Sequence, residues 1–142
     1  MPDEAARKRM PVEYARRLNE GDVDGVLDLF TDDVVFEDPV GQPPLVGREA
    51  LRRHIELAVS ARVYETPARP VTSMDDRFVV TQTTVELQAP TPMTFNIIGV
   101  VEVDEDGRGR HVRAFWGMTD MAIGVPGGTT AGTGLIPEGT AS

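Results

Sequence analysis

Asp38 closes the run Val34-Val35-Phe36-Glu37-Asp38, whose β-branched and aromatic residues predict a strand. Side chains alternate along a strand, so Asp38 continues the row of Val34 and Phe36 and faces an apolar interior. Burial of this kind raises a carboxyl pKa and leaves a poorly solvated, reactive base, which makes Asp38 a candidate for proton transfer. The same local pattern also fits a turn aspartate ahead of Pro39. Tyr14 stands on a helical stripe that turns it inward. Glu37, on the opposite face from Asp38, is expected in solvent. His54 and His111 lack the spacing of a metal site, and no metal or cofactor is expected. Gly99, Gly107 and Gly117 do not form a phosphate-binding loop, because none stands between a strand and a helix start.

The elements that must position these groups are legible in outline. Ala6, Met10, Tyr14 and Leu18 recur every four residues, a helical stripe ending near Asn19-Glu20-Gly21, with Pro11 either kinking the helix or opening its regular part. Asp22 is the expected N-cap of a short second helix carrying Val23, Val26, Leu27 and Phe30. The loop from Pro39 to Gly47 holds too many Gly and Pro residues for regular structure and is placed to rim a pocket. Arg48 to Ala61 has the helical spacing of Leu51, Ile55, Ala58 and Val59. From Val63 onward the signal changes to β, with strands over Val71–Met74, Arg77–Gln88, Met93–Val103 and Arg110–Met121, and a hairpin at Asp104-Glu105-Asp106-Gly107. Three helices followed by a meander predict an α+β fold, its curved sheet wrapping the helices around a cavity.

Composition narrows the partners. The chain has 142 residues, 40% of them apolar, which suits one domain with a real core. It carries 23 acidic against 14 basic residues, a net charge of −9. That balance opposes a nucleic-acid partner and electrostatic capture of an anionic substrate, and favours a neutral apolar ligand. No cysteine is present, so thiol catalysis, disulfides and sulfur-bound metals are excluded. No apolar run reaches membrane-spanning length, and neither a membrane partner nor a leader segment is expected, which points to a cytoplasmic protein. The expected domain covers residues 1–121, and 122–142, rich in Gly, Thr and Pro, reads as a flexible tail.

Tyr14, Leu18-Asn19-Glu20-Gly21-Asp22-Val23-Asp24-Gly25-Val26, Glu37-Asp38-Pro39-Val40-Gly41 and Arg113-Ala114-Phe115-Trp116-Gly117 together resemble the Δ5-3-ketosteroid isomerases. Those enzymes belong to the cone-shaped NTF2-like, or SnoaL-like, α+β superfamily, with helices packed on a curved antiparallel or mixed sheet. The resemblance runs from about Met10 to Met121 and implies that Asp38 shuttles a proton while Tyr14 donates to a dienolate oxygen. The substrate would be a 3-oxosteroid or similar apolar compound, and the protein a homodimer. Trp116, Phe36, Gly99, Phe30 and Ile55 would line the substrate pocket.

The chain also departs from that family. The second oxyanion acid falls on Gly99, which has no side-chain donor, while Phe30 and Ile55 stand where some members carry tyrosine. Loss of one oxyanion donor typically costs about 10²- to 10³-fold in rate, so a slow isomerase, a substitute donor or different chemistry is expected. Trp116 or an admitted water are the candidate substitutes; Asn96 lies on the opposite strand face, and Asp120 shares the parity of Trp116. The alternatives are another enzyme on the same scaffold, of polyketide cyclase or epoxide hydrolase type, and a non-catalytic module that binds an apolar ligand. The hydrolases' Asp-Arg-Asp arrangement is not evident.

Overall fold

The computed structural model describes residues 2–124. In chain order the elements are α1 (Glu4–Asn19), α2 (Val23–Leu27), β1 (Phe30–Glu37), β2 (Leu45–Val46), α3 (Arg48–Ser60), β3 (Tyr64–Pro67), β4 (Val71–Thr72), β5 (Phe78–Leu87), β6 (Met93–Val103), β7 (Gly109–Phe115), a 3₁₀ turn (Met118–Asp120) and β8 (Met121–Ile123). The sheet order is β2-β1-β7-β6-β5-β3, with β4 on β5 and β8 on β6. β1 runs parallel to β7, and the other pairings are antiparallel. The fold is therefore α+β, three helices packed on a mixed sheet, as expected.

Local chemistry explains most boundaries. Asp3 caps α1 by accepting from the Ala6 N–H, and Asp22 caps α2 by accepting from Gly25. Pro11 lies inside a continuous α1, neither breaking it nor starting it. The missing Pro11 N–H costs one hydrogen bond to the Arg7 carbonyl. The Arg7 side chain anchors the same helix, donating to the carbonyls of Ser73 and Phe78.

Other boundaries depart from the expectation. Phe30 opens β1 rather than closing α2. It packs over Gly109, its partner in β7, where an added Cβ would lie 2.8 Å from the Phe30 ring. The last long strand stops at Phe115, and its continuation turns through the 3₁₀ segment to pair as β8 with the start of β6. β8 reaches Ile123, and the rest of the expected tail, 125–142, lies outside the described residues.

The core is Met10, Leu18, Val26, Leu27, Phe30, Val34, Phe36, Leu51, Ile55, Val63, Val85, Phe95 and Val112, between the helices and the sheet. Across the sheet, Thr81, Gly99 and Ala114 stand side by side on β5, β6 and β7. Among the described residues no helix is long and apolar enough to cross a membrane.

Candidate active site

Two chambers open between the helices and the sheet. The inner one, about 90 Å³, is walled by Met10, Phe36, Thr81, Gly99 and Ala114 among others; the outer one, about 360 Å³, extends past His54, Leu57, Met93 and Trp116. Tyr14, Asp38, Glu65, Val85 and Ile97 line both. The chambers therefore meet at a phenol and two carboxyl groups.

Asp38 arrives there from the end of β1. Glu37 is still in register with Arg113 of β7, and the Val40 N–H donates to the Ala114 carbonyl at 2.9 Å, so the backbone on both sides of Asp38 is fixed to one strand. Its side chain is oriented as well: the Trp116 indole N–H donates to Oδ1 at 2.8 Å, and His54 Nε2 lies 3.3 Å from Oδ2. Each carboxylate oxygen has two lone pairs, so both keep capacity to accept from a ligand. Trp116 is in turn held edge-on against Phe95, with ring centres 4.9 Å apart.

These contacts correct two expectations. The Trp116 N–H is committed to the carboxylate and does not serve as the substitute oxyanion donor, although the ring does line the outer chamber. His54, considered only as a metal ligand and set aside, partners the candidate base from α3 and packs against the Phe36 ring at 5.6 Å.

Glu65 is the group the sequence reading missed. It sits on the edge strand β3, where Asn19 grips its backbone on both sides: the Glu65 N–H donates to Asn19 Oδ1 at 2.7 Å, and Asn19 Nδ2 donates to the Glu65 carbonyl at 2.9 Å. The end of α1 thus fixes the strand that carries the acid. Burial pushes the Glu65 carboxyl up to about 8, and the neighbouring Asp38 charge pushes the same way. Glu65 is consequently a protonated acid at neutral pH. A signal for it existed, since Val63, Glu65 and Pro67 share one strand face, the same acid-in-an-apolar-row pattern that singled out Asp38.

Tyr14 faces the same junction from α1, with Phe30 behind it in edge-on contact at 5.9 Å. Burial, reinforced by the charges of Glu65 and Asp38, holds its phenol well above the ordinary tyrosine range, so it keeps its proton. Among the described residues no acceptor holds the Tyr14 hydroxyl and no partner holds the Glu65 carboxyl. Both are available to a ligand.

The remaining expected site residues fall into three groups. Phe36 and Gly99 line the inner chamber, and Ile55 and Trp116 the outer. Phe30 lines neither; it is 1% exposed and supports Tyr14 from behind. Asp120 stays outside both chambers and accepts from the Gly117 N–H as a cap. Glu37 is not simply solvated. His111 Nε2 lies 2.6 Å from Oε2 and Arg113 Nε 3.3 Å away, and the hydrogen bond to His111, opposed in part by desolvation, holds its carboxyl below the usual range. Among the described residues no three His, Asp or Glu side chains gather as a metal site.

The comparisons with known proteins agree with this architecture. Epoxide hydrolase LasB of Streptomyces lasalocidi is 42% identical over 127 residues, which make up 86% of this chain but 45% of that protein. The chain thus spans less than half the length of that relative. The structure of SalBIII, described as an epoxide hydrolase/cyclase-like enzyme with a role in pyran ring formation in the polyether salinomycin, superposes with a TM-score of 0.82. It is 34% identical and covers 87% of this chain and 99% of its own. The Mycobacterium tuberculosis protein RV0760c, also solved with estradiol-17beta-hemisuccinate, shares the fold at 20% identity and a TM-score of 0.78, over 87% of this chain and 100% of its own. Residues 12–114 match the SnoaL-like domain, and the chain therefore belongs to the SnoaL-like domain family.

Proposed function

We propose that this protein opens an epoxide on an apolar substrate, using water or a hydroxyl of the same substrate as nucleophile. One observation carries the reading: a protonated acid, Glu65, and an oriented carboxylate, Asp38, line the same two chambers. Epoxide opening needs that pair, because the attacking oxygen must lose a proton while the departing oxygen gains one. Asp38 takes the proton from the attacking O–H as the new C–O bond forms. The epoxide C–O bond breaks, and Glu65 delivers its proton to the released oxygen. Tyr14 donates a hydrogen bond to that oxygen while it carries negative charge. The turnover leaves Asp38 protonated and Glu65 ionised, and proton exchange through the outer chamber resets them.

The similarity to LasB and SalBIII supports this reading over the isomerase that Tyr14 and Asp38 alone suggest. The isomerase remains the second reading on one specific ground: Tyr14 and protonated Glu65 supply two donors opposite one base, which offsets the missing acid at Gly99. A homodimer is proposed with either.

The test is direct. Purified protein is given an apolar epoxide, an apolar epoxy-alcohol able to close a five- or six-membered ether, and a 3-oxo-Δ5-steroid, in ¹⁸O-labelled water. The expected result is a diol carrying ¹⁸O from the first and an unlabelled cyclic ether from the second. Conjugated-enone absorbance from the steroid with no epoxide consumption would instead establish the isomerase.

A further inference from the structure

Gly99 lies in the middle of a strand, where glycine weakens the sheet and ordinarily marks a bulge or a close approach of backbone. Neither explanation applies. The register is unbroken on both sides of it, to Thr81 and to Ala114. A Cβ built on Gly99 would meet nothing closer than the Thr81 carbonyl oxygen at 3.9 Å, so no neighbour needs the side chain to be absent. What the glycine does provide is space, because Gly99, Ala114 and Thr81 together floor the inner chamber.

We propose that the inner chamber is an end-group subsite for a short alkyl substituent on the reacting carbon, and that Gly99 sets the length it accepts. This rests on the junction of Tyr14, Asp38 and Glu65 being where the substrate reacts, and names what lies beyond it. The wall is largely apolar: Met10, Phe36, Val101 and Val112 supply hydrocarbon, and Thr81 and Thr83 each offer a methyl beside a hydroxyl. The volume fixes the size. An engineered cavity of about 150 Å³ holds benzene, so about 90 Å³ takes roughly three to four carbon atoms. A phenyl ring is excluded and must lie in the outer chamber, whose rim includes exposed residues such as Leu57.

Unreactive amides test this without relying on turnover. In a series of N-phenethyl carboxamides from acetamide to hexanamide, the amide group can accept from Tyr14 and Glu65 and donate to Asp38. The phenethyl arm is too large for the inner chamber, which directs the acyl chain into it. Binding is read by fluorescence of Trp116, the single tryptophan. Affinity is expected to rise about three- to fourfold per carbon up to a three- or four-carbon chain and to fall beyond it. Gly99→Val, which suits a strand, should leave the shortest amide within twofold and weaken the butanamide at least tenfold; Gly99→Ala should fall between. An affinity that climbs steadily through hexanamide, or an unchanged profile in both variants, overturns the subsite. If no epoxide is turned over but the profile and its shift are found, the reaction assignment fails and the subsite stands. Turnover with a flat profile has the opposite meaning.

Discussion

Glu37 and Asp38 are consecutive residues, and they meet opposite environments. Glu37 points to the outer face of β1, where His111 and Arg113 stabilise its ionised form and hold its pKa down. Asp38 points to the chambers, where its neighbours are an indole N–H, a histidine and the raised carboxyl of Glu65. The alternation of a strand is what separates them. On the outer face Glu37 is satisfied by His111 and Arg113, which leaves it structural. On the inner face Glu65 has no cation, burial dominates, and the proton it retains becomes available for chemistry.

The largest effect is expected at Asp38. Asp38→Asn keeps the shape and removes the base, and epoxide turnover should fall by about 10²- to 10⁴-fold, with melting temperature used to confirm that the fold persists. An activity within a fewfold of wild type would mean that the inner face holds no general base.

Glu65→Gln comes next. Without its acid, turnover should fall by about 10²-fold or more, and the pH profile should change shape. In the wild type kcat/KM is expected to decline as pH rises through about 8, because the acid is then ionised; in the variant that limb disappears. Stability gives an independent reading. The unfolded chain releases this proton near 4.5 and the folded chain near 8, so between those values the unfolded state binds fewer protons and stability falls as pH rises. Glu65→Gln should remove that decline, on the order of a few kcal/mol, as measured by urea denaturation at pH 5 and pH 9.

The smallest effect is expected on the outer face. Glu37→Gln breaks the contacts to His111 and Arg113 but touches neither chamber. Its kcat/KM should stay within about twofold of wild type at all pH values, since neither Glu37 nor its partners line the chambers. A large loss would mean that the two faces are coupled through β1.

How much of this was legible in the sequence depended on distance along the chain. Tyr14 and Asp38 are visible through periodicity within their own elements, and the capping of α2 by Asp22 is equally local. Glu65 had a local signal in Val63, Glu65 and Pro67, but β3 has four residues and takes its place from Asn19, 46 positions away. The bond from Trp116 to Asp38 spans 78 positions and depends on the parallel pairing of β1 with β7, which no local pattern encodes. Gly99 was legible as a missing acid. Its structural meaning, space rather than a lost donor, required the register of β5, β6 and β7.

The central claim is that Glu65 holds a proton at neutral pH beside an oriented Asp38. The most direct measurement is a carbon NMR titration of the protein labelled at its glutamate side-chain carboxyl carbons, with Glu65→Gln to assign the resonance. One carboxyl is expected to titrate near pH 8 and to vanish in the variant. If every glutamate carboxyl titrates below about pH 6, Glu65 is ionised at neutral pH and the acid–base pair is contradicted.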